Sequence, residues 1–185
     1  MYKERFDKGK RILAAEFEAN LLRMNYSGLY ALRAINSKEI DDSIQSDDKL
    51  SALLENRGHD ILYVGKATTT LISRLGQELR ALAPGTFFRS AGAIIGKMPV
   101  PGCLIGARNT NYFFPGDIKE EIIDWINHNI YVSFFKLEED IETEEKNAIG
   151  EIKPALNIQH NRHFVYSYLM KRRQECINYA RSLAL

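Results

Sequence analysis

Four short segments of this 185-residue chain carry side chains able to act on a phosphate. They are Ser27-Gly28-Leu29-Tyr30, Tyr63-Val64-Gly65-Lys66-Ala67, Arg74-Leu75, and the stretch from Glu145 through Ala148-Ile149 to Lys153-Pro154-Ala155-Leu156-Asn157. The Arg74 guanidinium is a planar fork that matches phosphate oxygens. The Lys66 ammonium is a compact point charge. Glu145 offers a hard oxygen ligand suited to Mg²⁺ or Mn²⁺. Tyrosine, with a pKa of about 10, is a poor base at neutral pH unless cations favour its phenolate. Such a set meets the needs of phosphodiester hydrolysis: an activated water, neutralised phosphoryl oxygens and help for the leaving oxygen.

Taken together and in this order, the segments resemble the GIY-YIG nuclease family. Gly28-Leu29-Tyr30 stands for the first signature and Tyr63-Val64-Gly65 for the second. Arg74 matches the family's helical arginine. Glu145 matches its metal-binding glutamate, and Lys153-Pro154 with Asn157 matches its Lys-Pro-x-x-Asn ending. Gly65-Lys66-Ala67 is most similar to the incision domain of bacterial excision-repair nucleases. The resemblance covers residues 27–158. It implies a DNA endonuclease working by a one-metal mechanism, with Glu145 holding Mg²⁺ (or Mn²⁺). Tyr30, Tyr63, Lys66, Arg74 and Glu145 are the expected catalytic residues, with either tyrosine open as the general base. Lys66, Arg74 and a metal-bound water are expected to lower the phenol pKa. Arg89, Asn157 and His160 are the expected substrate contacts.

The chain also departs from the family pattern. The two tyrosine motifs are usually about ten residues apart, joined by a tight hairpin; here Tyr30 and Tyr63 imply an acidic insertion over residues 36–60. One turn after Arg74, where many members carry His or Tyr, stands Glu78. A carboxylate facing a phosphate is repulsive, so Glu78 is expected to point away, with Arg89 or His59 as substitutes. These departures favour a second reading: a catalytically weakened module on the same fold, binding nucleic acid or protein. Each residue alone also has an ordinary reading, Tyr30 as a core aromatic and Arg74 as a solvated helix residue.

The elements that must position these groups follow from pattern. Gly28 to Ile35 carries aliphatics on both faces and predicts a central strand. Ile61–Val64 predicts a second strand and Tyr131–Leu137 a third. Leu71, Leu75 and Leu79 lie one turn apart on a helix that Thr69 or Thr70 caps. Leu13, Phe17, Leu21 and Met24 predict a helix over residues 8–24. Further helices are expected around residues 88–96, 117–129, 138–152 and 162–183. The last carries Val165, Leu169, Cys176 and Ala180 as its inner stripe. The sum is an α+β domain: a small central antiparallel sheet of three main strands flanked by helices. A single domain over 1–185 is expected, with an N-terminal helix in 1–26 and a C-terminal helix in 159–185. The terminal helices either pair two copies into a homodimer or close the core.

Composition sets the outer bounds. Formal net charge is +1, yet residues 61–114 hold six bases and one acid, while residues 36–60 hold seven acids and three bases. A basic middle suits DNA as partner. Lys171-Arg172-Arg173 adds a basic stretch that either tracks phosphates or forms a solvated face. Asn109-Thr110-Asn111-Tyr112 is a polar, aromatic loop able to touch nucleic acid. Two isolated cysteines, Cys103 and Cys176, give neither a zinc spacing nor a disulfide framework. With no apolar signal core at the start and no apolar run of membrane-spanning length, no membrane partner and a cytoplasmic location are expected.

Overall fold

The computed structural model describes residues 1–44, 46–105, 110–161 and 166–182. Four strands, β1 (Lys10–Leu13), β2 (Gly28–Ala34), β3 (Ile61–Ala67) and β4 (Ile130–Lys136), form one antiparallel sheet in the order β1-β4-β2-β3. Helices pack on both faces, so the class is α+β. β2 lies inside the sheet and every one of its residues is buried. Its alternation divides the core. Leu29 and Ala31 face one layer with Phe6, Val64 and Ile149; Tyr30 and Leu32 face the other with Leu71, Leu75, Leu79 and Phe87.

The first layer is built by α1 (Tyr2–Lys8) and α7 (Ile141–Ile152). The second contains α4 (Leu71–Arg80), α5 (Thr86–Ile94), α6 (Gly116–Asn129) and α8 (Ser167–Arg181). α4 begins where Thr70 accepts a hydrogen bond from the Ser73 N–H at 3.2 Å, satisfying one orphan donor of its first turn. α8 packs on α5 and buries Leu169, Arg173, Cys176 and Ala180, so of the two roles left open for the C-terminal helix this face serves to close the core. Val165, expected on the same stripe, lies outside the described residues.

Two expectations are corrected here. The sheet has four strands where three were expected, and residues 8–24 are not one helix. α1 stops at Gly9, whose Cβ, if present, would sit 2.7 Å from the Phe134 carbonyl oxygen. The chain then pairs with β4, Ile12 opposite Val132, and continues as short 3-10 turns over Ala14–Glu16 and Glu18–Met24. The helical spacing is coincidental: Leu13 is exposed, while Phe17 and Met24 are buried from tighter turns.

The acidic insertion is ordered into two helices, α2 (Ser37–Asp42) and α3 (Leu50–Arg57). Lys49 gives α3 no side-chain cap; Asp41 of α2 supplies it, accepting from the Leu50 N–H at 2.8 Å and the Ser51 N–H at 3.2 Å. The insertion thus stabilises itself and returns the chain to β3 through Asp60, which takes the buried Arg33 guanidinium of β2 at 2.8 Å. Among the described residues no helix is long and apolar enough to cross a membrane.

Candidate active site

The two tyrosines come together because β2 and β3 are neighbours: Tyr30 stands opposite Gly65, and Tyr63 opposite Leu32. Their rings lie 6.3 Å apart. A Cβ at position 65 would fall 2.3 Å from the Tyr30 hydroxyl oxygen, so glycine is what lets this phenol lie across β3. Tyr30 is fully buried; Tyr63, packed on Phe87 at 5.8 Å, keeps 6% exposure.

Beneath the site lies a charged network on α4. The Tyr30 hydroxyl donates to Glu78 Oε1 at 3.3 Å and accepts from Arg74 Nε at 3.3 Å. Arg74 Nη1 donates to Gln77 Oε1 at 2.7 Å, and Nη2 pairs with Glu78. Glu78 Oε2 accepts from the Phe87 N–H at 2.8 Å, in the first turn of α5. Glu78 was expected to point away from the phosphate; its side chain is off the pocket lining, completely buried and turned inward beneath it. The guanidinium draws it in, and the α5 amides fix its second oxygen. Burial, opposed by Arg74, raises the Glu78 pKa.

The expected lowering of the phenol pKa values is also corrected for the protein alone. Burial, reinforced by Glu78, raises both Tyr30 and Tyr63, outweighing the attraction of Arg74. Desolvation disfavours an anionic phenolate more strongly than one neighbouring guanidinium favours it.

From the other face, α7 packs against β3 and brings Glu145 to Lys66, Nζ to Oε2 at 2.9 Å, with Glu142 at 3.4 Å. Burial opposes the Lys66 charge, but Glu145 and then Glu142 hold its pKa above the usual value. α7 ends at Lys153, in the left-handed region with φ 55°, before Pro154. The chain then runs back along β3, where the buried Asn157 accepts from the Val64 N–H and donates to the Val64 carbonyl, both at 2.8 Å. Asn157 was expected among the substrate contacts. Its amide clamps this segment to β3, between Tyr63 and Gly65, and the residue also stands on the pocket lining.

Tyr63, Lys66, Arg74 and Glu145 share one open pocket of about 620 Å³, with Arg89, Asn157 and His160 also on its lining. Tyr30 is not on that lining; it lies under the floor. His160 is exposed at the rim, with φ 61°. His59, considered as a substitute for the absent histidine, sits elsewhere: Nε2 meets the Ile152 carbonyl at 2.8 Å and Nδ1 accepts from the Ile61 N–H at 3.2 Å. Burial lowers its pKa, in keeping with a neutral ring in that role. Thr110 and Asn111 of the polar loop reach the pocket; Arg108, Asn109, Arg162 and His163 lie outside the described residues.

Sequence reasoning named Glu78 and Arg173 without placing either side chain inward at this site. Glu78 was legible as the i+4 partner of Arg74, the spacing at which helical charges meet. Arg173 lines the pocket from α8 and lies on the buried stripe between Leu169 and Cys176. Its helical phase was available, although arginine seldom takes an inward position.

The chain belongs to the GIY-YIG catalytic domain family, whose family model matches residues 28–175. The match opens at β2 and runs past the expected limit of 158 into α8, leaving α1 and β1 outside it. Membership points to nuclease chemistry in general. No curated protein and no solved structure gives a significant match.

Proposed function

We propose that this protein is a divalent-metal-dependent DNA endonuclease that cuts one strand per active site. The observation that carries this reading is the shared pocket: Glu145, Lys66, Tyr63 and Arg74, distant in sequence, line one open pocket of about 620 Å³.

A carboxylate on an open pocket fits Mg²⁺ or Mn²⁺, which keep most of their water shell and need few protein oxygens. Among the described residues no group of three or more His, Cys, Asp and Glu side chains could cage a metal. Glu145 would hold the ion, sharing its carboxylate with Lys66. When bound, the ion supplies positive charge that polarises the phosphate and lowers the pKa of nearby water and phenol.

Arg74 and Lys66 balance charge on the phosphoryl oxygens as water attacks phosphorus and the bond to the leaving sugar oxygen breaks. The proton released by the water passes to a base, and the leaving oxygen takes one up. Tyr63 supports the base role better than Tyr30, because only Tyr63 is on the pocket lining. Tyr30 holds Arg74 and Glu78 from below. Arg89 and His160 contact the substrate in this reading.

One observation favours the weakened module. Three Arg74 nitrogens already have partners: Tyr30, Gln77 and Glu78. A phosphate must displace Gln77 or share the fork. Incubation of supercoiled plasmid, or of an RNA transcript, with Mg²⁺, Mn²⁺ or a chelator separates the readings. Metal-dependent nicking of the plasmid that disappears in Glu145→Ala supports the DNA endonuclease. Binding without cleavage under either metal overturns it and leaves the module.

A further inference from the structure

The pocket has a second basic wall that metal-assisted cleavage does not require. Arg89 on α5 and Arg173 on α8 both line it, at 6% and 8% exposure. Two like charges set so deep are costly unless an anion completes them. Among the described residues, none supplies that anion by hydrogen bonding. Arg89 Nε and Nη1 and Arg173 Nε are buried with no hydrogen-bond partner. Arg173 Nη1 reaches only neutral oxygens, the Thr86 carbonyl at 3.3 Å and Ser90 Oγ at 3.5 Å. Its guanidinium lies 5.5 Å from the centre of the Tyr112 ring, which positions it without neutralising it. Among the described residues the one buried carboxylate nearby, Glu78, is engaged by Arg74, Tyr30 and the Phe87 amide.

We propose that Arg89 and Arg173 form a second phosphate subsite, holding a phosphate of the bound strand other than the one being cleaved. This rests on the nucleic-acid reading above. A phosphate oxygen accepts from guanidinium forks in pairs, and three unpartnered nitrogens on two forks provide for that geometry. The pocket spans both walls, so a strand whose scissile phosphate meets Lys66 and Arg74 can place another phosphate against α8. Burial, then the charge of Arg173, pushes Arg89 down to about 10, the direction expected of cations lacking an anion. The phosphate is either an internal phosphodiester or a terminal phosphomonoester.

The test is binding, not turnover. Affinity for a fluorescent duplex is measured in chelator over a range of salt, for the wild type, Arg173→Met and Arg173→Lys. Arg173→Met keeps the packed stem and removes the charge. It is expected to lose about tenfold in affinity, and its log–log salt slope to fall by about one, the signature of one lost phosphate contact. Arg173→Lys restores most of the slope. Duplexes with one neutral methylphosphonate at successive positions locate the contact even if Arg173→Met does not fold: one position should weaken the wild type about tenfold and Arg173→Lys less. Duplexes with and without a 5′-phosphate separate a terminal from an internal source. Unchanged affinity and slope in folded Arg173→Met, or equal effects at every neutralised position, overturn the subsite. The nuclease reading fails separately: loss of binding in Arg173→Met without any plasmid nicking sinks cleavage and leaves the subsite standing.

Discussion

Replacing Gly65 by alanine tests whether the Gly-Lys-Ala motif exists to admit Tyr30. Gly65 does not have a positive φ, so alanine is permitted by the backbone. In open space, Gly→Ala would stabilise by about 0.4–1 kcal/mol through the unfolded chain. Here the new methyl would meet the Tyr30 hydroxyl oxygen at 2.3 Å, Cζ at 2.4 Å and Cε1 at 3.0 Å. The ring must retreat to relieve these contacts, yet it is completely buried and tethered to Arg74 and Glu78. Overpacking of this kind costs about 1–3 kcal/mol. Stretching the two hydrogen bonds of the hydroxyl to charged groups adds about 1–3 kcal/mol. After the offset, a net loss of about 2–4 kcal/mol is expected, read as a lower urea midpoint with an unchanged slope. The decisive measurement is the double-mutant cycle with Tyr30→Leu, which removes all three contacted atoms. The alanine should cost little in that background. Additive effects, with Gly65→Ala equally damaging whether or not the Tyr30 ring is present, would refute the steric argument.

Two further outcomes follow from the charged floor. Glu78→Gln keeps the shape but replaces one acceptor by a donor, leaving either the Phe87 amide or the Arg74 and Tyr30 donors unmatched; a loss of about 1–3 kcal/mol is expected by denaturant titration. Because burial raises the Glu78 pKa above 4.5, ionising it costs stability as pH climbs through the folded value. The gap between wild type and Glu78→Gln should therefore be widest below pH 4.5 and narrow above it; a gap that widens with pH would contradict the buried geometry. If Tyr63 takes the proton, its raised pKa places the protein on the rising limb of a pH–rate profile at neutral pH. The nicking rate should climb with pH, by up to about tenfold per unit. Tyr63→Phe should be slow and flat, and an unchanged climb in that variant would remove Tyr63 from the base role.

What was legible in the sequence was what repeats locally. β2 and β3 are short aliphatic runs whose burial follows from having no polar face, and α4 announces itself by Leu71, Leu75 and Leu79. β1 was not legible. Four residues give only two alternations, and Ile12 became meaningful only once Val132 was seen beside it. Asn157 illustrates the same limit within the site. Its motif position was visible, but its task depends on the backbone of Val64, 93 residues away.

Glu78 shows why the charge pattern of the site could not be read from one helix. An arginine and a glutamate four apart usually form a solvated pair worth little. Here the first turn of α5 closes over the carboxylate and converts that pair into the anchor of a buried network. Glu78 then engages Arg74 and the α5 amides, and α5 carries Arg89. The electrostatics of the pocket are therefore set by how α4, α5 and α8 meet. Four cations, Lys66, Arg74, Arg89 and Arg173, stand on its lining against the carboxylates of Glu145 on the wall and Glu78 beneath. The Lys66–Glu145 and Arg74–Glu78 pairs each balance internally. What remains is the positive charge of Arg89 and Arg173, deep enough to demand an anion and set on the lining of the pocket.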